Sequence, residues 1–353
     1  MKILNDLDDF NLSSSDLVAL RTPEKIAEYI KKNDLVSFDW SKYSIESGCP
    51  LNESQLNVYL DIQKNENNAE YNLHFIMDVS QYSIEDVNTA LKKMFDVHPI
   101  LTTHVENIDG IPYLKPSHAP AVDFCDVYVK DDVLNFICKP FDLSDSLSRF
   151  LLIEHNNDER ALVAVFHHLI FDGFSSLVFK QHLFDLLEYK SLDCDVGFIK
   201  SSIYDEEIAK TEDYDDAEAF YESMLCDVDD TASLLSCVEY NQAKDVPFDL
   251  FTTKNDISDF LKVNAISENV LFTGDFAYTL SRFVGDDKAL FNIVENGRDK
   301  YNIFNSIGMF ANTLPLLVDC KNQDIVSFIK QVSDLIQGVV RYNYYQKLDS
   351  TTI

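Results

Sequence analysis

Two adjacent histidines, His167 and His168, close an apolar run in the stretch AVFHHLIFDGFSS, residues 164–176, and Asp172 and Gly173 follow them. A histidine titrating near neutrality can accept a proton, donate a hydrogen bond or orient an amine nucleophile. Neighbouring side chains on a strand point to opposite faces, so one histidine of the pair would enter a given cleft. The aspartate could hold the turn, through backbone N–H groups or an arginine, instead of acting as an acid. Spacing alone leaves two readings open. The stretch is a catalytic turn at the end of a buried strand, or a polar loop whose histidines are satisfied core residues.

The surrounding elements must present such a turn. SRFLLIEHNNDERALVAVFHH reads as a hairpin turning at Asn156–Glu159, and SSLVFKQHLFDLLEYK as an amphipathic helix capped by Ser175 or Ser176. Upstream, NESQLNVYLDIQ is expected as a helix and YNLHFIMDVS as a strand. SIEDVNTALKKMFDVHP opens with Ser83 and Asp86 at capping-box spacing, and ILTTHVENIDGIPYLKP reads as two strands about an Asn-x-Asp-Gly turn. Downstream, residues 226–247 suggest a loop or crossover. NDISDFLKVNAIS and NVLFTGDFAYTLSRFVG follow as helices, KALFNIVENGR contains a strand, SIGMFANTLPLLVDC leads into another, and a long helix ends the chain. Residues 1–33 read as short helical pieces, one starting with Thr22 as cap and Pro23 at the first helical position, and residues 34–49 as a linker. The expected fold class is α/β, an α+β two-layer architecture in two halves divided near residue 220.

Composition narrows the function classes. The 353 residues exceed one ordinary core, and 46% are hydrophobic, which argues against wholesale disorder. The 60 acidic against 29 basic residues give a formal net charge of −31, which disfavours nucleic acid or an anionic membrane as partner. Without a signal peptide or long apolar run, the chain is expected to be cytoplasmic. Its seven cysteines form no CxxC pair, so neither a metal site nor a disulfide framework is expected, but reduced and mostly buried thiols.

HHxxxDG followed by a small residue resembles the signature of condensation domains of nonribosomal peptide synthetases. Other stretches match in the same order. LNESQLNVYLD (51–61), with Gln55, is similar to the first motif of that family, and EYNLHF (70–75) to a stretch just after it. VHPILTTHV (97–105) resembles the second, and SSIYDEEIAK (201–210) with AEAFYESML the fourth. ENGRDKYNIFNSIGMFANTLPLLV (295–318) resembles the fifth through Gly297, Arg298, Gly308, Phe310, Asn312, Thr313, Leu314 and Pro315. The chain departs from the pattern at Asn57, Tyr59, Val97, Thr102 and Lys210.

The resemblance implies two chloramphenicol-acetyltransferase-like halves, residues 50–220 and 221–353, arranged as a V about a tunnel. It makes His168 the active-site residue, as a base or by positioning the amine. Near pH 8 an α-amino group is already substantially neutral, so positioning can suffice. His167 would support the turn, and Gly173 would bring backbone N–H groups close to the reacting carbonyl. Asp172 would pair with Arg298 from the opposite half, with Ser175 and Asn312 as further support. No cofactor is expected to bind directly. Substrates would arrive on the phosphopantetheine arms of upstream and downstream carrier domains, in a synthetase that also holds an adenylation domain.

Residues 1–33 resemble the C-terminal part of a carrier domain. The chain stops before the family's last two motifs, as a truncated, monomeric piece of a synthetase would. Within the superfamily, an epimerisation domain shares HHxxxDG, but NTLP argues against it. Heterocyclisation domains replace both histidines with aspartates, and the DFGWG motif of plant-type acyltransferases is absent. A module that docks carriers without catalysis is the alternative of a different class.

Overall fold

A computed structural model of the chain describes residues 22–26, 39–64, 69–126, 129–155, 159–226, 228, 257–321 and 324–345. They fall into two compact units: residues 22–211 with Asn296–Asn312, and Glu212–Glu295 with residues 313–345. The expected architecture of mixed helices and strands is present.

In the first unit, β1 (Cys49–Pro50) leads into α1 (Glu53–Ile62). Asn52 caps α1 with a full capping box, its side chain accepting from Gln55 N and the Gln55 side chain accepting from Asn52 N. β2 (Asn72–Asp78) precedes α2 (Ile84–Val97), whose cap is Ser83. β3 (Thr103–Ile108) and β4 (Ile111–Pro116) form the expected hairpin, with Asp109 and Gly110 both at positive φ as a tight two-residue turn requires. Then come β5 (Val122–Cys125), α3 (Lys130–Cys138), β6 (Ser148–His155), β7 (Glu159–His167), α4 (Ser175–Leu187) and α5 (Gly197–Ile208).

One sheet has the order β1-β4-β3 and another β2-β7-β6-β5, with β5 parallel to β6 and the other pairs antiparallel. The run ALVAVF has no polar alternation because β7 is covered on both faces. Leu162, Ala164 and Phe166 join the main core with residues of α2 and α4. Val163 and Val165 pack with Val133 and Ile137 of α3. His167 continues the α3 side of that alternation.

The second unit holds α6 (Glu212–Leu225), α7 (Ser258–Asn264), α8 (Glu268–Val284) and β8 (Lys288–Glu295). The chain then returns to the first unit through the short α9 (Arg298–Tyr301), before β9 (Asn312–Asp319) pairs with β8 and α10 (Ile325–Arg341) follows. The second unit's own core includes Tyr221, Ala277, Leu316 and Val332.

Three expectations need amending. Ser175 and Ser176 do not cap α4: its N-cap position is Phe174 with no side-chain bond, and the Ser175 N–H is received by Asp172 Oδ1 at 2.8 Å. The cysteines are not mostly buried. Of the six described, Cys49 and Cys320 are buried, while Cys138, Cys194 and Cys226 are exposed at a helix end, a loop and a turn. Residues 296–312, assigned by the sequence reading to the second half, pack within the first unit because Arg298 is buried against the turn at Asp172. The expected helices of residues 1–33 lie outside the described residues except at Thr22–Ile26, where Thr22 Oγ1 accepts from Lys25 N at 3.3 Å. The turn at 156–158 and most of the 226–247 loop also lie outside them.

Gly297 fixes how the chain enters α9. Its φ is +70°, and a Cβ there would stand 1.8 Å from the Phe310 carbonyl oxygen. Substitution would therefore meet both a left-handed backbone and a backbone collision. Gly297→Ala is expected to destabilise the first unit by at least about 2 kcal/mol, read as a lower urea midpoint. An unchanged midpoint would contradict this account of the turn.

Candidate active site

His167 ends β7, and His168 begins a single 3-10 turn, His168–Ile170. Phe171 then folds back onto the core, its ring stacked on Phe166 at 3.9 Å. Three backbone contacts set the path of this turn. His168 N donates to Tyr71 O at 2.8 Å, Leu169 N to His167 Nδ1 at 3.1 Å, and Gln55 Nε2 to Leu169 O at 3.0 Å.

The two histidines have different surroundings. His167 is 3% exposed, stacked on Tyr71 and edge-on to Phe141. Its Nδ1 accepts a backbone N–H, so the neutral ring carries its proton on Nε2. Burial, and then the neighbouring His168, push its pKa down to about 4 from the usual 6.5. It is thus neutral at physiological pH. The stability tied to the neutral ring is present above pH 6.5 and is lost as pH falls through about 4. His168 is partly exposed, and its buried Nδ1 has no hydrogen-bond partner among the described residues. Nε2 is then the nitrogen able to meet an incoming group. Among the described residues no carboxylate bonds the ring from behind, unlike a histidine built as a strong base.

Asp172 is 1% exposed and Arg298 is fully buried. The guanidinium grips the carboxylate through two bonds, Nη1 to Oδ2 and Nη2 to Oδ1, each 2.8 Å. Asp172 also accepts from Ser175 N and Ser175 Oγ, both at 2.8 Å, and from Phe310 N at 3.1 Å. Arg298 donates further to Asn296 O, Ser306 O and Ser175 Oγ. Its guanidinium lies 4.7 Å from the Phe174 ring centre and 4.9 Å from that of Phe310. A carboxylate with five donors has no lone pair left for acid–base work. Its role here is to join the turn at 172–175 to the segment at 296–310.

The other sequence candidates divide. Ser175 is buried in this network, and its hydroxyl also contacts Gly308 N and O. Asn312 stands apart from it, accepting from Ser54 Oγ at 2.6 Å near the start of α1. Gly173 is exposed, and a Cβ there would meet nothing within 4 Å, so open space faces the turn. Sequence reasoning missed Ser306 and Phe310 as partners of the ion pair, and Asn52, whose Nδ2 donates to Met309 O at 3.2 Å. Only Asn52 and Gln55 carried a local sign, the capping-box spacing.

A family model described as "Condensation domain" matches residues 45–349. The chain is 21% identical over 300 residues to bacitracin synthase 3 of Bacillus licheniformis, covering 80% of this chain and 5% of that protein. It is 22% identical over 324 residues to surfactin synthase subunit 1 of Bacillus subtilis (strain 168), covering 86% and 9%. The chain thus spans less than a tenth of the length of these curated relatives. Among solved structures, the first condensation domain of the CDA synthetase superposes with a TM-score of 0.68 at 15% identity, covering 88% of this chain and 79% of that one. The condensation domain from the Monacolin K polyketide synthase MokA gives 0.69 at 14% identity, covering 86% and 75%. At such identities the structural likeness is one of fold.

Removing one partner of the ion pair leaves an uncompensated buried charge. Arg298→Met and Asp172→Asn are each expected to cost about 3–5 kcal/mol, with the double variant losing less than the sum. Denaturant unfolding of the three variants checks this, and simple additivity would show that the pair does not act as a unit.

Proposed function

Because this chain belongs to the condensation-domain family, we propose that it forms an amide bond between two carrier-bound substrates of a nonribosomal peptide synthetase. The donor is an aminoacyl or peptidyl thioester on an upstream carrier domain. The acceptor is the amine of an aminoacyl group on a downstream carrier, and an adenylation domain of the same synthetase loads it. Both substrates hang on phosphopantetheine arms. Residues 1–33 then derive from the upstream carrier, and the two chloramphenicol-acetyltransferase-like halves are residues 50–211 with 296–312, and residues 212–295 with 313–353.

The observation that carries this reading is the partly exposed His168 on a turn anchored before, at and after it. The amine nitrogen attacks the thioester carbonyl, the C–N bond forms and the C–S bond breaks. The thiol leaves on the donor arm, and the amine gives up one proton to balance it. His168 Nε2 accepts a hydrogen bond from the attacking amine and holds its lone pair toward the carbonyl. That amine is partly neutral near pH 8, so placement contributes more than proton abstraction. His167, neutral and enclosed, stiffens the turn. The open space at Gly173 lets the acyl group approach the backbone there.

The test mixes donor-loaded and acceptor-loaded carriers with the full-length chain. His168→Ala is expected to slow peptide formation by about a hundredfold or more with an unchanged unfolding midpoint. Equal product from the variant would remove His168 from its role. Carrier binding without peptide from the intact chain would favour a docking module.

A further inference from the structure

A second group of titratable side chains lies in the first unit, away from His168. His98 follows α2 and is wholly buried. Its Nδ1 is 2.8 Å from Asp195 Oδ2, and its Nε2 is 2.9 Å from His182 Nδ1. The two imidazoles are nearly parallel, their planes 17° apart. His182 lies on α4 and borders a cavity of about 500 Å³ also lined by Asp193, Cys194 and Lys200. Asp195, in the loop before α5, receives Gly197 N on Oδ1 and Ile307 N on Oδ2, each at 2.9 Å.

The positions of the protons follow from this chain of contacts. Burial alone would raise the Asp195 pKa, but the hydrogen bond and charge of His98 and the N–H of Gly197 hold it below the usual carboxylate range. Asp195 is therefore an anion and accepts a hydrogen bond from the His98 Nδ1–H. In the neutral pair, His98 Nε2 accepts from His182 Nδ1. One added proton is tolerated, because a single N–H still bridges the two rings. A second puts N–H groups on both nitrogens, and the contact must open. Burial first, and then His98, hold His182 below the usual imidazole value, while Asp185 on its own helix and Asp195 pull the other way.

Ile307 is the link to the ion pair. On one side of it, Ser306 O accepts from Arg298 Nε at 3.3 Å and Nη2 at 3.2 Å. On the other, Gly308 N donates to Ser175 Oγ at 3.1 Å. Asp195 thus grips the middle residue of a three-residue stretch whose neighbours hold Arg298 and Ser175.

We propose that Asp195, His98 and His182 are positioning residues for the His168 turn, acting through Ile307, and that they release it when the imidazole pair takes up two protons. This rests on the reading of His168 given above. Above neutral pH the brace is complete, and it is lost as pH falls below the usual histidine range.

The experiment compares the full chain with His182→Gln, whose amide can give or take a hydrogen bond but not a proton, and with His182→Phe. Peptide formation from loaded carriers and the NMR shifts of the Ile307 and Gly308 amides are followed from pH 8 to pH 5. At pH 8 the His182→Gln rate should equal that of the native chain. On the acid side the native rate should fall about tenfold per pH unit more steeply than that of either variant. The two amides should titrate in the native chain and stay still in both variants. Amides that titrate equally in the variants, or do not move in the native chain, would overturn the proposal. Absence of peptide at every pH with the amide titration intact would leave the brace standing and reject the condensation reading instead.

Discussion

Asp172 and Arg298 carry opposite charges at positions closed to solvent, and a buried charge persists only when its partners replace the water it has lost. Here they do. The carboxylate has five donors, and the guanidinium has the carboxylate, backbone carbonyls and two aromatic faces. The network draws together the start of α4 and the segment 296–310, far apart in the chain. Such a pair is weak grounds for net stability, since apolar residues of similar size can serve as well. What it fixes is position: the Asp172 end of the HHxxxDG turn cannot shift without uncovering a charge.

That fixed frame lets the two histidines take separate tasks. His167 is enclosed by Tyr71 and Phe141, kept neutral, and bonded to the N–H of Leu169. His168 leaves the strand one residue later and keeps part of its ring in the open. Among the described residues no neighbouring acid bonds it. In the proposed reaction such a site works by placing an amine against a carbonyl, and the burden of precision passes to Gln55, Tyr71 and the ion pair that hold the backbone.

Much of the scaffold was legible in the sequence because its causes are local. The continuous apolar run of β7, the Asp109–Gly110 turn and the Ser83 cap each follow from residues close in the chain. The HHxxxDG spacing marked the turn, and family resemblance supplied Arg298 as the partner of Asp172. What stayed hidden depends on contacts between distant residues. Helix α4 begins with Ser175 bonded to Asp172, not capped by its own serine, because the carboxylate is already held in place by Arg298. Gln55 is marked in the sequence by the first family motif, and that its amide reaches Leu169 shows only in the fold. Nothing near Asp195 in sequence announces that it meets both His98 and Ile307. The exposed cysteines, too, reflect where helices and loops end, which composition does not encode.

Amide hydrogen exchange of the intact chain tests the fixed frame most directly. Ser175 N and Phe310 N both donate to Asp172, and Gly308 N donates to Ser175 Oγ. If the ion pair locks the turn, these three amides exchange as slowly as those of Val163 and Val165 in the centre of β7, opening only with the whole unit. Fast exchange at Ser175, Gly308 and Phe310 while β7 stays protected would contradict the account.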